Sequence, residues 1–540
     1  MIGKLVPVLV LAVLIALPLA LRERQASASK PAPASSSAET PLKNQTLVII
    51  TPHGEPTRAE FTRAFTAWAK AERGVAVTID WRSPGGTSDI IRYLEDRYRG
   101  AFAAKFPQHA ASAGFIFGDG VSATAPEAVR TAANAARAAW LASEISSDLD
   151  LFFGGGEFVY AKSAQRGLIV DAGLIQAEPT WFTPDIIPAT LSGETIYDAK
   201  GRYYGACLAV FGIATSVDRL RELGLEQPTR WSDLGDARYF RQLTLADPTK
   251  SGAVVTTLER ILQSHMLPLA AGKSGDAEKA AQAQGWREGW ILIKRLVANA
   301  RWMTDSASKP TRDTVRGDCA ASTAIDYHAR SEADWAARES NGRERLRFII
   351  PKQGTSVSAD PIALLRGAPA RPLAIDFIRF VLSPQGQRLW GIKVGTPQGP
   401  ERYALRRMPV RLDFYRDSPR DQRSDPDDDP VALSREFTYH GAWTGPLYPL
   451  IGPMTKAIAI DPREELQAAW AAIIRAGGPE KVPQAWAEFS WLPVEYAGAK
   501  DARNAVGDKD RLAATRVLRR WVEESIVHLN QARVLAEAGR

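Results

Sequence analysis

Cysteine is almost absent from this chain: two in 540 residues, Cys207 and Cys319. Two thiols cannot make a zinc site by themselves, and a disulfide-stapled scaffold is excluded. Catalytic signatures are missing as well. There is no G-x-S-x-G and no H-E-x-x-H, so neither a nucleophile elbow nor a zinc-protease helix is present. Gly272-Lys273-Ser274 ends like a phosphate-binding loop, but the earlier glycine that the loop needs is replaced by Leu267. Lys250-Ser251-Gly252 resembles a K-T-G box, yet the only S-x-x-K before it is the linker string Ser27 to Lys30. Gly154-Gly155-Gly156 lacks the G-x-G-x-x-G spacing. No nucleophile and base pair emerges, so an enzyme is not expected. No block of Lys and Arg with interleaved aromatics occurs, and 68 − 61 = +7 charges over such a length are no nucleic-acid footprint. No repeat period is visible.

What is present is ordinary globular composition, 45% hydrophobic and 24% charged, which excludes wholesale disorder and a polytopic membrane protein. At roughly 150 residues per domain the length allows three or four structural units. The one apolar run long enough to meet a membrane is Leu5 to Leu21, followed by Arg22-Glu23-Arg24 and the A-x-A string Ala26-Ser27-Ala28. Residues 1–28 therefore read as a signal peptide, with an uncleaved N-terminal anchor as the alternative. No cysteine follows the run, so a lipid anchor is not expected. Residues 29–44 are a Pro/Ala/Ser linker that cannot build a core. The working part is expected to be periplasmic, touching the membrane only through the N-terminal segment. In such an oxidising compartment Cys207 and Cys319 can pair with each other or remain two buried thiols.

After the linker, short apolar runs alternate with helical periodicity. Thr46 to Thr51 and Val75 to Trp81 read as strands, and between them Phe61, Phe65 and Trp68 fall at i, i+4, i+7 behind Pro56. That order is a βαβ unit. Further strands are predicted at 149–153, 203–216, 243–246, 320–326, 346–350 and 360–365, with an Ala-rich helix at 125–142. Residues 411–430 are charged and Pro-rich, a surface loop. Beyond them the pattern is helical, and Leu518, Trp521, Val522, Ser525 and Leu529 share one face of a long helix. The fold class is α/β with a helical C-terminal extension.

Polar loops at strand ends feed several helices. Gly85-Gly86-Thr87-Ser88 and Thr249-Lys250-Ser251-Gly252-Ala253 place hydroxyls and free N–H groups at helix starts, where anions bind and where ordinary capping also occurs. His53 and Glu55, one residue apart at a strand end, can chelate a metal or simply lie in a solvated turn.

These strings, in this order, resemble the extracytoplasmic solute-binding proteins of bacterial ABC importers, in the branch of ferric-ion, thiamine and phosphonate binders. The resemblance runs from about residue 46 to 405. It rests on Thr51-Pro52-His53-Gly54-Glu55, Asp150-Leu151-Phe152-Phe153-Gly154-Gly155-Gly156, Gly201 to Gly205 and Trp231-Ser232-Asp233-Leu234. It continues through Ala246 to Gly252, Ala324-Ile325-Asp326-Tyr327, Ile350 to Gly354, Ala363 to Ala368 and Phe380 to Gln387. It implies a two-lobed type II periplasmic-binding-protein fold: 45–195 in lobe one, 196–345 in lobe two, a return over 346–430, then the extension 431–540. The ligand would sit in the interlobe cleft and be delivered to ABC permease subunits.

The resemblance also implies a candidate ligand set: His53, Glu55, Gly85, Gly86, Thr87, Ser88, Gly155, Gly156, Thr249, Ser251, Gly252, Ala253, Asp326, Tyr327 and His328. Ferric-ion members use a tandem tyrosine at the position of Tyr327, with a synergistic anion at a Ser-Gly-Ala helix start. Ser251-Gly252-Ala253 and Tyr327 match, but His328 replaces the second tyrosine, and glycines stand where some iron binders carry a carboxylate after Phe153. Fe(III) at His53, Glu55, Tyr327 and His328 is thus one expectation, as transported ligand rather than resident cofactor. An oxyanion such as a phosphonate or phosphate ester is the other. From a different class, a membrane-tethered sensing or docking module could use the same fold, with the 431–540 helices as its partner surface. A further expectation is that Thr87 and Ser251 face one another across the cleft.

Overall fold

A computed structural model of the chain describes residues 44–118, 121, 125–507 and 510–540. The expected leader and all but the last residue of the linker lie outside the described residues.

Two mixed sheets organise the fold. The first has seven strands: β1 (Asn44–Ile50), β2 (Ala76–Arg82), β3 (Leu151–Phe153), β4 (Ile169–Val170), β7 (Tyr204–Ala209), β13 (Ser358–Leu365) and β14 (Met408–Pro409). Their order is β14-β7-β13-β3-β1-β2, with β4 beside β13. β1 pairs parallel with β3, whereas β13 runs antiparallel to both β3 and β7. The second sheet has five strands: β8 (Phe211–Ser216), β9 (Leu243–Ala246), β10 (Ala300–Thr304), β11 (Ala321–Ile325) and β12 (Leu346–Ile349), ordered β10-β9-β11-β8-β12. A short hairpin joins β5 (Thr190–Leu191) to β6 (Glu194–Thr195). β3, β7, β8 and β9 are buried throughout, which explains why they read as continuous apolar runs without alternation.

Lobe one denotes the part of the chain built on the first sheet, and lobe two the part built on the second. The chain crosses from the first to the second at Val210, between β7 and β8, and returns between β12 and β13. The sequence boundary at 196 is corrected by this. Residues 204–209 are a strand of lobe one, and the sequence does not separate them from β8 because two buried six-residue strands are separated by a single residue. The cysteine pairing is corrected for the same reason. Cys207 lies on β7 in the first sheet, Cys319 precedes β11 in the second with its Sγ 3.5 Å from the Leu243 carbonyl, and both are buried and free. β10 was not predicted. It follows the Gly275–Asn299 helix with no breaker between them.

Residues after 430 are helical, as expected, from Pro430–Glu436 to the 27-residue helix Arg511–Glu537. They do not form a separate unit. Leu450, Ile451, Met454, Trp470, Phe489, Trp521 and Leu529 share one core with Ile261, Leu262, Trp286 and Trp290 of lobe two. Within that core the helices Gly252–Ala270 and Gly275–Asn299 press together at glycine. A Cβ at Gly285 would come within 2.4 Å of the Met266 Cα, so only a bare backbone fits there. The predicted face of the last helix is confirmed, with Trp521, Ser525 and Leu529 buried and Leu518 and Val522 packed at its margin.

Candidate functional site

Lobe one contributes the loops that follow β1, β2 and β3. β1 ends at Thr51, whose N–H donates to the Arg82 carbonyl on β2 (2.9 Å). Two residues on, His53 turns inward, with its ring against Phe153 at 4.6 Å between centroids. Gly154, at φ +98°, lies over that ring, and a Cβ there would meet it at 2.7 Å. The glycine is required by both conformation and contact. Gly155 is crowded by Thr87, and its N–H donates to Asp360 Oδ1 (2.5 Å).

Asp360 is the pivot of a buried charged group. It sits on β13 in an otherwise apolar run, just before Pro361. Its Oδ2 accepts from Arg407 Nη1 and faces His53 Nε2 at 3.3 Å. Burial alone would raise its pKa, but the Arg407 guanidinium, His53 and the Gly155 N–H pull it down to about 2. Burial lowers the pKa of His53 in spite of Asp360, so the ring is held neutral. Its Nδ1 has no partner among the described residues. An ion pair this deep is worth little net, yet losing one member strands the other charge at a cost of about 3–5 kcal/mol.

Lobe two meets this group through the start of the Asp326–Glu339 helix. The Arg407 guanidinium lies over the Tyr327 ring, 3.8 Å from its centroid, and the His328 ring packs on Tyr327 at 4.1 Å. Burial, with Arg407 and Arg312 nearby, pushes the His328 pKa down to about 3. Burial also raises Tyr327, with Arg407 opposing. Asp326 accepts from the Val210 N–H (3.3 Å) and its own helix's Tyr327 N–H (2.8 Å), and so pins the crossover. Burial lifts it to about 6, moderated by Arg330 and Arg407. Outside this contact, Arg330 pairs with Asp428 through two bonds of 2.6 and 2.7 Å. The charged loop predicted at 411–430 thus clasps lobe two.

The other lobe-two element is the Gly252–Ala270 helix. Ser251 is its N-cap residue, and its hydroxyl makes no capping bond. Thr249 spends its N–H and hydroxyl on Asp247 Oδ1, both at 2.7 Å. The Gly252 carbonyl accepts from the Tyr448 hydroxyl (2.7 Å), and the Tyr448 ring stacks on Phe158 at 4.5 Å. Phe158 belongs to the lobe-one helix that starts after Gly156. Thr87 thus lies against Gly155, and three residues on in the chain Phe158 meets Tyr448, which reaches Gly252 of lobe two. Deeper in, Arg260 pairs with Glu194 and with Glu259 (2.8 Å), and lies 4.0 Å from the Tyr439 ring centroid. Glu157 accepts from the Tyr203 hydroxyl (2.6 Å), and burial raises its pKa.

The residues expected from sequence thus separate. His53, Gly155, Tyr327 and His328 converge around Arg407 and Asp360, with Asp326 beside them. Thr87, Gly156, and Ser251 with Gly252 and Ala253 belong to three helix starts, two of lobe one and one of lobe two. Gly85, Gly86 and Ser88 are exposed on their turn, where the Gly86 N–H bonds Asp89 (3.2 Å). Glu55 is exposed and faces Arg58 at 3.6 Å, so the four proposed iron ligands do not form one set. Among the described residues, no group of three or more His, Cys, Asp or Glu could hold a metal ion. Asp360, Arg407 and Tyr448 were not anticipated. An aspartate in the strand run Ala359–Leu365 was a readable signal, because a buried charge requires a partner. Nothing local marks the other two.

Residues 149–398, a little under half of the chain, match the family described as bacterial extracellular solute-binding protein. A Haemophilus influenzae protein, described only as uncharacterized, is 26% identical over 242 residues. That alignment covers 44% of this chain, and the chain spans 60% of the length of that curated relative. Among solved structures, the periplasmic binding protein P5PA aligns with TM-score 0.45 at 16% identity, over 75% of this chain and 94% of its own. AfuA from Actinobacillus pleuropneumoniae, with fructose-6-phosphate bound, gives 0.44 at 18%, over 80% and 99%. Iron-bound HitA from Pseudomonas aeruginosa gives 0.42 at 14%, over 74% and 94%. Over residues 149–398 the chain is thus similar to the bacterial extracellular solute-binding proteins, and the described residues form an α/β fold of two mixed sheets with a helical C-terminal region.

Proposed function

We propose that the chain binds a small anionic solute outside the cytoplasmic membrane, in the cleft between its lobes, and delivers it to an ABC permease. The observation that supports this is the approach of two helix starts, one from each lobe: Phe158, next to the Gly156 start, stacks on Tyr448, whose hydroxyl bonds the Gly252 carbonyl. Unpaired N–H groups and the helix dipole favour an anion at such a start. The Ser251 hydroxyl, free of any capping bond, supplies a further donor. Binding rather than catalysis fits the family match, and a solute that bridges both lobes acts by favouring the closed population. Export through the 1–28 segment belongs to the same reading. No helix of the described residues is long and apolar enough to cross a membrane.

An oxyanion suits this cleft better than Fe(III). Arg407 places a fixed positive charge against Tyr327, His53 Nε2 faces Asp360, and Glu55 points to solvent. A ferric site needs those oxygen and nitrogen donors free and converging. As for the docking-module reading, the extension commits much of its apolar surface to the lobe-two core.

A thermal-shift screen of the full chain against phosphate esters, phosphonates, carboxylates and ferric citrate tests the proposal. A solute at 100 times its dissociation constant stabilises by about 2.7 kcal/mol. Ser251→Ala should weaken an oxyanion by about 1–3 kcal/mol. A coloured, iron-loaded protein that bleaches in Tyr327→Phe would overturn the oxyanion assignment. No shift with any solute would shift support to the docking module.

A further inference from the structure

The C-terminal extension touches both lobes at Tyr448. Tyr448 opens the Tyr448–Thr455 helix, which lies along the 248–252 loop, with Gly452 closest to the Pro248 carbonyl. The Tyr448 ring lies near-parallel to Phe158 of lobe one, at 25°. Its hydroxyl bonds the Gly252 carbonyl (2.7 Å) and lies 3.3 Å from Thr256 Oγ1 on lobe two. One side chain of the extension thus touches the helix start of each lobe. A second tie lies nearby. The Ser192 hydroxyl donates to the Phe437 carbonyl (2.6 Å), and the Tyr439 N–H donates to the Ser192 carbonyl (2.8 Å). Tyr439 also donates to Glu259 (2.8 Å) on the lobe-two helix.

We propose that Tyr448 is an intramolecular plug: it bridges the two helix starts when the cleft holds no solute, and it must leave for a solute to reach them. The proposal rests on the cleft being the solute site, and it deepens that reading by adding a gate. Its ring covers Phe158 beside the lobe-one helix start, and its hydroxyl covers the first carbonyl of the Gly252–Ala270 helix, so the seated side chain occupies the approach to both starts. Closure is thereby available without solute, and the apparent affinity of any solute is reduced by the fraction of chains in which the plug is seated.

Amide hydrogen exchange of the full chain tests this with no solute present. In Tyr448→Ala, exchange at 156–160 and 251–256 should accelerate tenfold or more while β1 and β13 keep their protection. In Tyr448→Gly, p-cresol, the missing side chain as a free molecule, should restore protection at both segments, since a vacated apolar site takes up a ring of matching size. Should the small variants fold poorly, Tyr448→Phe decides. It keeps the stack and should speed exchange only at 251–256, by two- to fivefold. Wild-type rates in Tyr448→Phe and Tyr448→Ala, or acceleration that p-cresol leaves untouched, would overturn the plug. With inorganic phosphate as probe anion, Tyr448→Ala should bind at least threefold tighter than the wild type, and weaker binding would make Tyr448 a wall of the site instead. If phosphate and every other solute fail to bind either protein while the exchange pattern holds, the solute reading fails and the interlobe latch stands.

Discussion

Lys294 offers a test of how the extension is held. The lysine is fully buried on the Gly275–Asn299 helix. Its Nζ donates to the carbonyls of Phe489 (2.5 Å) and Trp491 (3.1 Å) in the extension, and no carboxylate pairs with it among the described residues. Burial, with Arg287 adding to it, lowers its pKa from 10.5 to about 7. Between those two values the unfolded chain carries a proton that the folded chain has released, so stability must rise with pH across that window. From pH 7 to pH 9 the gain integrates to about 2 kcal/mol. Lys294→Met abolishes this gain and leaves two carbonyls without their donor, at about 1 kcal/mol each. Urea unfolding at pH 7, 8 and 9 and constant ionic strength should therefore show the wild type gaining about 2 kcal/mol more than Lys294→Met. The buried thiols pull the other way above pH 9, with Cys319 raised to about 12 by burial, but they are common to both proteins and cancel in the comparison. Identical pH dependence of the two proteins would refute a neutral, carbonyl-bound lysine.

Asp360→Asn should destabilise lobe one by about 3–5 kcal/mol by stranding Arg407, and adding Arg407→Met should recover part of the loss, read as a positive coupling in a double-mutant cycle. Glu60, buried at the foot of the Glu55–Arg73 helix, accepts from the N–H groups of Glu401, Arg402 and Tyr403 at 2.6–3.0 Å. Those bonds, with Arg63, outweigh burial and hold its carboxyl below the ordinary glutamate value of 4.5. Its contribution is therefore full above that pH and is lost as pH falls below it, and Glu60→Ala should cost about 3 kcal/mol at pH 7 in urea unfolding but less at pH 3. Thiol titration of unreduced protein should find no reactive cysteine when folded and two after denaturation, because Cys207 and Cys319 are buried in different sheets; a result of none after denaturation would contradict the fold.

The sequence by itself determined the parts of this protein whose physics is local. A buried strand needs an uninterrupted apolar run and an amphipathic helix needs a 3.6-residue period, so β1, β9, β12 and the helix 55–73 were legible within a few residues, and so was the buried face of the helix 511–537. The glycines after Phe153 and the Ser251 helix start were legible for a related reason, since backbone turns and caps demand particular residues. Tertiary structure alone decided what those pieces do together. Nothing near position 210 distinguishes two buried strands of one sheet from two strands of different lobes, because each is equally apolar and the difference lies only in which distant strand pairs with it. Asp360, Arg407 and His53 meet across separations of 47 and 307 residues. The cost of burying one charge sets the need for a partner, but only the fold selects which partner arrives. Tyr448 is the extreme case. Its own neighbourhood reads as an ordinary helix start, and its position between Phe158 and Gly252 exists only because the extension and lobe two share one core.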